Sequence, residues 1–177
     1  RSRAKSVARN VEIKARIDSV EALLPRARAL ADGPEQRIEQ DDTFFVCAQG
    51  RLKLREFGDG KGELIHYERA DSEGPKLSDY VRAPTTDPAA LREALARAHG
   101  IRGRVRKTRC LLLSGATRIH LDRVEGLGDF IELEVVLQDG QSADDGRVIA
   151  EQLMRGLGIA DAQRIAGAYL DLLAQRA

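Results

Sequence analysis

The feature that most constrains this chain is the stretch RLKLR at residues 51–55, in which charged and apolar residues alternate strictly. If the stretch is a strand, its period of two places Arg51, Lys53 and Arg55 on one face and both leucines on the other. Three like charges in one row, about 7 Å apart, repel one another unless their face is solvated or holds an anion. For an isolated stretch, a solvated edge face is the commoner outcome. Because similar alternation recurs elsewhere in the chain, we favour the second possibility, a charged face that holds an anion.

Two further stretches combine a charged row with an apolar row. Residues 10–17 (NVEIKARI) place Asn10, Glu12 and Lys14 on one face, and residues 130–137 (FIELEVVL) place Glu132 and Glu134 opposite a row of Ile, Leu and Val. A sheet with an apolar outer face and a charged inner face reverses the usual arrangement of an antiparallel sheet. The pattern therefore predicts helices packed outside the sheet and a polar interior that holds a ligand.

Four segments carry helix signals and could cover the outer apolar rows. They span residues 18–33, 87–100, 142–157 and 161–175. Asp18 is the predicted cap of the first segment, and Pro25 inside it predicts a kink or a late start, because proline inside a helix costs about 3 kcal/mol. Tyr169 in the last segment could contact the interior, but core packing is our preferred interpretation.

Composition narrows the class of protein. At 177 residues we expect one compact domain, covering residues 10–177, after a basic and disordered lead at residues 1–9. The chain has 29 Lys and Arg against 28 Asp and Glu, which argues against a general nucleic-acid-binding protein. No apolar run approaches the roughly 20 residues of a membrane span, so we expect a soluble protein. Cys47 and Cys110 lack metal-ligand spacing, and we interpret them as buried thiols in a reducing, cytoplasmic compartment.

The order of several motifs carries a more specific signal. The motifs are NVEIKAR, GRLKLR, GPKLSDY, VRKTR and TRIHLDRVEGLGDFIELEV. In this order they resemble the CYTH family of triphosphate tunnel metalloenzymes, which includes class IV adenylyl cyclases and thiamine and inorganic triphosphatases. The resemblance runs from Asn10 to the end of the chain. It implies an α+β fold, in which an eight-stranded antiparallel closed β-tunnel has helices packed on its outside. The family's opening signature is Glu-x-Glu-x-Lys, and here it is Asn10-x-Glu12-x-Lys14.

The resemblance and the alternation together give a set of inward-facing candidates. In VRKTR, which is polar on both faces, only the resemblance selects Lys107 and Arg109, and Lys76 matches a family lysine that points at substrate phosphate. The predicted phosphate-binding residues are Arg51, Lys53, Arg55, Arg69, Lys76, Lys107, Arg109 and Arg118. The residues expected to be catalytic are Lys14, Arg55 and Arg109. The predicted metal ligands are Glu12, Asp122, Glu132 and Glu134.

This set of side chains suits a polyanion that arrives with a metal. Arginine binds phosphate oxygens in a bidentate manner. Carboxylates hold Mg²⁺ or Mn²⁺, and clustered carboxylates would repel one another without a cation. His120 shares the row of Asp122, where a hydrogen-bonding role is commoner than a ligand role. The motifs look most like the class IV cyclase branch; the alternatives are a triphosphate hydrolase and a repurposed tunnel that binds another phosphorylated metabolite. The expected partner is a small polyphosphate, without nucleic acid or membrane, and a homodimer is left open.

Overall fold

The computed structural model describes residues 8–69 and 74–177. Within these residues eight antiparallel strands close into a barrel, with the order β1-β5-β4-β3-β2-β6-β7-β8. The strands are β1 Ala8–Arg16, β2 Gln36–Phe45, β3 Arg51–Glu56, β4 Gly62–Arg69, β5 Lys76–Thr85, β6 Ile101–Ser114, β7 Thr117–Val124 and β8 Gly128–Val136. The predicted closed antiparallel tunnel is therefore confirmed. The predicted lead, residues 1–9, lies largely outside the described residues.

The barrel closes through β1, which pairs with β8 on one side and with β5 on the other. The register places Glu12 opposite Glu134 on β8 and opposite Lys76 on β5. Since side chains alternate between the two faces of a strand, this register gathers the charged rows of β1 and β8 inside the barrel. The outward rows become apolar; Val11 and Ile13, for example, are fully buried.

Three of the four helices that the structure describes lie on the outer face of the barrel, as the alternation predicts, and the last closes one end of its interior. The helices are α1 Val20–Leu30, α2 Pro88–His99, α3 Ala143–Gly156 and α4 Tyr169–Ala174. α1 lies on β6 and β7, α2 on β2 and β3, α3 on β1 and β8, and α4 on β6. None of the helices in the described residues is long and apolar enough to cross a membrane.

The structure corrects three local predictions. Ser19, whose side chain accepts a hydrogen bond from the amide of Ala22, caps α1 in place of Asp18, and Pro25 lies inside the helix. The last predicted helix is divided: residues 161–163 form a 3-10 turn, an extended segment follows, and α4 begins only at Tyr169. Cys47 and Cys110 are free but half-buried, because neither side chain is enclosed on all sides.

Two apolar clusters stabilise this arrangement. The larger one lies outside the barrel, between β1, β7 and β8 and helices α1 and α3, and includes Leu133 and Met154, both fully buried. α3 approaches β1 closely because Gly146 faces the strand. A Cβ atom at Gly146 would lie 2.7 Å from Cγ2 of Val11. An alanine there would push the helix away from the sheet, and burial of the outer rows would be reduced.

The smaller cluster fills one end of the barrel interior. Phe44, Val105 and Phe130 point inward at this end, and Tyr169 and Leu170 of α4 pack against them. The rings of Phe130 and Tyr169 are 5.0 Å apart and tilted, an arrangement that aromatic pairs prefer. The cluster thus closes the interior at the end where α4 lies, and the polar side chains line the remainder.

Candidate active site

The interior of the barrel holds a cavity of about 360 Å³ lined by side chains from all eight strands. This volume lies within the range of small-molecule sites. Ala168 and Tyr169 contribute to the lining at the closed end. The charges are not mixed evenly: cations dominate the wall built from β2, β3 and β6, and carboxylates gather on the wall built from β7, β8 and β1.

Four cations line the first wall, and a buried carboxylate holds three of them. Arg55 donates to both oxygens of Asp42 at 2.8 Å, and Nζ of Lys53 donates to Oδ2 at 3.0 Å. Nζ of Lys107 lies 3.5 Å from the same oxygen. Burial alone would raise the pKa of Asp42, but the surrounding cations, Arg55 first, hold it well below its usual range. Conversely, burial and the neighbouring cations lower the pKa of Lys107 well below that of a free lysine.

The fourth cation, Arg109, has its own carboxylate. Its Nε and Nη2 atoms each donate to one oxygen of Asp122 at 2.7 Å, and the hydroxyl of Tyr169 donates to Oδ2 at 2.8 Å. Burial opposes the ionisation of Asp122. The charge and hydrogen bonds of Arg109 outweigh this effect and lower the pKa of Asp122 to about 2. Burial also raises the pKa of Tyr169, so its hydroxyl remains a donor.

The opposite wall carries a cluster of metal-ligand type. One ligand atom each from His120, Glu132 and Glu134 lies within 4.8 Å of the others. Register explains the cluster, because His120 is directly opposite Glu132 on the neighbouring strand and Glu134 is two residues along. Nδ2 of Asn10 donates to Oε1 of Glu134 at 2.7 Å, and Nη1 of Arg118 donates to the same atom at 3.0 Å.

The donor set fits a divalent cation. Two carboxylates and a buried imidazole suit Mn²⁺, and the carboxylates also suit Mg²⁺. Burial and the charge of Arg109 lower the pKa of His120, which keeps the imidazole neutral, as a ligand must be. Among the described residues, Nδ1 of His120 and Oδ1 of Asn10 are buried without a hydrogen-bond partner. Nδ1 of His120 lies 3.7 Å from Oε1 of Glu132, and a cation beside the two buried atoms would give both of them a partner.

Most of the predicted site residues converge on the cavity. Those that line it are Glu12, Lys14, Lys53, Arg55, Lys107, Arg109, Arg118, Glu132 and Glu134. Lys14 lies between the two walls, with its Nζ 3.3 Å from Oε2 of Glu132 and 4.0 Å from the ring centre of Tyr169.

Three predicted residues are placed differently, and a fourth is not described. Arg51 lies beyond the closed end, where its Nη2 donates to Oδ2 of Asp171 at 2.5 Å, because α4 covers that end of β3. Asp122 is enclosed by Arg109 and Tyr169 and lies apart from the cluster of His120, Glu132 and Glu134. Lys76 is buried beside Glu12 but does not line the cavity. The side chain of Arg69 lies outside the described side chains.

Among the residues that line the cavity, Asp42, Glu63 and Arg82 were missed from the sequence and His120 was underrated. Asp42 shares the inward face of β2 with Gln40 and Phe44, a pattern that the alternation could have revealed. His120 was judged a hydrogen-bonding residue, and only the pairing of β7 with β8 brings it to the two glutamates. Tyr169 does pack in a core, as preferred, but its ring also lines the cavity.

The comparisons with known proteins agree with this geometry. The family model of the CYTH domain matches residues 8–169, so the chain belongs to the CYTH domain family. It is 27% identical over 176 residues to adenylate cyclase CyaB of Aeromonas hydrophila, covering 93% of this chain and 88% of that protein.

Solved structures share the fold. A protein of Pyrococcus horikoshii OT3 has a TM-score of 0.82 at 23% identity, covering 93% of this chain and 99% of that one. The Hippeastrum protein HpAC1, a candidate adenylyl cyclase with a dominant triphosphatase activity, has a TM-score of 0.68 at 18% identity, covering 94% and 96%. At these identities the likeness concerns the fold alone.

Proposed function

We propose that the protein catalyses a divalent-metal-dependent reaction on a triphosphorylated substrate held in the cavity. The reaction we favour is that of a class IV adenylyl cyclase, which converts ATP into cyclic AMP and pyrophosphate. The observation that carries this proposal is the division of the cavity into a wall of cations and a facing cluster of His120, Glu132 and Glu134. Similarity to CyaB over nearly the whole chain supports the cyclase reaction in particular.

The cationic wall would bind the phosphates. Each guanidinium carries five N–H donors. Asp42 accepts from Nε and Nη2 of Arg55, and Asp122 accepts from the same two atoms of Arg109, so Nη1 of each guanidinium makes neither contact. The two carboxylates thus orient the guanidinium planes while leaving donors for phosphate oxygens. Lys53 and Lys107 add positive charge to the same wall.

The acidic wall would hold the metal. A divalent cation bound by Glu132, Glu134 and His120 would neutralise phosphate charge and polarise the phosphoryl oxygens. Lys14 lies at the border between the two walls and would contact the phosphate that reacts. Catalysis by these residues is a matter of positioning the phosphates and stabilising the charge that develops on them.

A second candidate is hydrolysis of a triphosphate to a diphosphate and phosphate. It is favoured by the triphosphatase activity of HpAC1, which has the same fold, and it needs the same two walls. A third is a tunnel that binds a phosphorylated metabolite without turnover. Its support is Asn10, an uncharged amide at the first position of the family's acidic signature, engaged with Glu134.

Product analysis separates the three candidates. The purified protein would be incubated with Mn²⁺ or Mg²⁺ and ATP, GTP, thiamine triphosphate or tripolyphosphate. Cyclic AMP with pyrophosphate supports the cyclase, ADP with phosphate supports the hydrolase, and calorimetric binding without product supports the third candidate. Glu134→Gln should abolish metal-dependent turnover, whereas Glu125→Gln, an exposed glutamate outside the cavity, should not. The proposal fails if the parent neither binds nor converts any triphosphate.

A further inference from the structure

A second space, a groove of about 460 Å³, adjoins the cavity. Phe57 and Glu63 line both spaces and therefore stand where the two meet. β3 and β4 pair with Arg55 opposite Glu63 at one end and Arg51 opposite Tyr67 at the other. Since Arg51 is bound to α4, the groove lies at the end of the barrel farthest from Tyr169. A ligand whose phosphates fill the cavity would extend its other part into this groove.

The walls of the groove are fixed by specific contacts. On one side the turn between β3 and β4 is closed by the amide of Phe57, which donates to the carbonyl of Lys61 at 3.2 Å. Gly62 allows this turn to pack on α2. A Cβ atom at Gly62 would lie 2.8 Å from the carbonyl oxygen of Arg55 and 2.9 Å from Cβ of Pro88. Arg92 of α2 secures the contact, because its Nη1 donates to Oε2 of Glu56 at 2.6 Å.

On the other side the groove is bounded by the end of β5. Pro84 and Thr85 close that strand, and Thr86 leads into α2. Oγ1 of Thr85 accepts a hydrogen bond from the amide of Asp87 at 3.2 Å, which holds the segment against the cap of α2. The groove is therefore built from anchored backbone on both sides.

The chemistry of the groove differs from that of the cavity. Phe57 and Pro84 offer flat apolar surfaces, and Thr85 and Thr86 offer hydroxyl groups. The carboxylate of Glu63 accepts hydrogen bonds and repels phosphate; its nearest cation, Arg82, is 3.9 Å away. Aromatic side chains stack on the faces of heterocyclic bases, and a carboxylate at the rim of such a platform binds an amino group.

We infer that this groove binds the organic part of the substrate, a heteroaromatic ring that carries an amino group. The inference rests on the proposed function and narrows it to organic triphosphates, to the exclusion of inorganic triphosphate as the preferred ligand. Phe57 supplies the stacking surface, and Glu63 accepts from the amino group. Both act on specificity, because neither belongs to the cationic wall or to the metal cluster.

The test compares two ligands that share phosphates and differ in the ring. Binding of ATP and of tripolyphosphate would be measured by calorimetry for the parent, Phe57→Leu and Glu63→Gln. Glu68→Gln, an exposed glutamate of the same strand, is the matched control. Loss of stacking or of the carboxylate should weaken ATP binding by about fivefold or more. Tripolyphosphate should bind the two groove variants as it binds the parent, or more tightly to Glu63→Gln, from which a repelling charge has been removed.

Three results would overturn the inference. In the first, the parent binds tripolyphosphate as tightly as ATP, and the groove variants have the parent's affinity for both ligands. The proposed function then survives and the groove assignment fails. In the second, both ligands weaken equally in the variants, which would place Phe57 and Glu63 in the phosphate site. In the third, the parent binds neither ligand, which would refute the proposed function together with the inference.

Discussion

Replacing Asp42 by Asn tests how the barrel tolerates so many buried cations. The carboxylate is 1% exposed and accepts from Arg55 and Lys53, with Lys107 3.5 Å away. Asparagine keeps the shape and one acceptor oxygen but removes the negative charge. Three cations would then face one another without a counter-charge, in a wall where burial already lowers the pKa of Lys53 and Lys107.

The expected loss of stability follows from these contacts. Breaking a buried ion pair costs about 3–5 kcal/mol, and the retained acceptor places this variant near the lower value. For a chain of this length each kcal/mol lowers Tm by about 2–4 °C, so the melting temperature should fall by about 6–12 °C. The neighbouring Asp41 is a matched control on the other face of β2, where it pairs with the half-exposed Arg104. Asp41→Asn should cost about 0–1 kcal/mol.

The assay is thermal unfolding with and without tripolyphosphate in metal-free buffer. A bound phosphate supplies the negative charge that Asp42→Asn lacks, so the ligand should raise the Tm of this variant more than that of the parent. At a hundredfold excess over Kd the ligand contributes about 2.7 kcal/mol, which is enough to restore most of the loss. The reasoning is refuted if Asp42→Asn has the same Tm as the Asp41→Asn control, or if tripolyphosphate raises the Tm of Asp42→Asn less than that of the parent.

Three further outcomes are expected. Arg55→Ala should weaken triphosphate binding at least about tenfold by calorimetry, because one charge-assisted hydrogen bond contributes about 1.5–3 kcal/mol; unchanged affinity in a folded variant contradicts the assignment. Asn10→Glu should tighten Mn²⁺ binding in a direct titration by adding a carboxylate beside Glu134, and weaker binding would remove Asn10 from the site. Phosphate bound beside Lys107 should raise the lowered pKa of this lysine, so binding should take up protons and should weaken as pH rises. Calorimetry in buffers of different ionisation enthalpy measures this uptake, and its absence would contradict the prediction.

The pH dependence of stability has a defined sign at Asp42. Its folded pKa is depressed, so its stabilising effect is fully present above the unfolded pKa of about 3.9 and is lost as pH falls through the folded value. The stability difference between the parent and Asp42→Asn should therefore shrink as pH falls below about 5, where Asp42 of the unfolded chain begins to take up a proton. Chemical unfolding at several pH values would show it.

Alternation of charge, a local property, predicted a sheet with a polar interior and helices outside it, and the family resemblance supplied the closed barrel of eight strands. The rows at residues 10–17, 51–55 and 130–137 each specify which face is apolar, and one closed barrel satisfies all of them. What alternation could not supply was the pairing between distant strands. His120 meets Glu132 and Glu134 through the register of β7 on β8, and periodicity within one strand does not contain that register.

The unexpected partners have the same origin. The sequence identifies Arg51 and Arg109 as inward cations but does not show which carboxylates neutralise them. Asp171, the partner of Arg51, lies in α4, so its position depends on where this helix begins. The capping signals placed the start of the helix eight residues too early. A row of inward cations therefore predicts a basic cavity, while the three-dimensional structure is needed to tell which of these cations pair with carboxylates.

The balance of charge in the cavity supports the proposed metal. In the part of the chain that the structure describes, seven Lys or Arg and five Asp or Glu side chains line the cavity. Each phosphate of a triphosphate has a strongly ionised oxygen, and the terminal phosphate has a second with a pKa of about 6, so the ligand carries about four negative charges at neutral pH. The side chains alone leave an excess of two positive charges, and a divalent cation bound by His120, Glu132 and Glu134 would raise this excess to four, which equals the charge of the proposed ligand. A diphosphate would leave the filled cavity positively charged. A triphosphate with its metal would leave it neutral, which is the least costly state for a buried site.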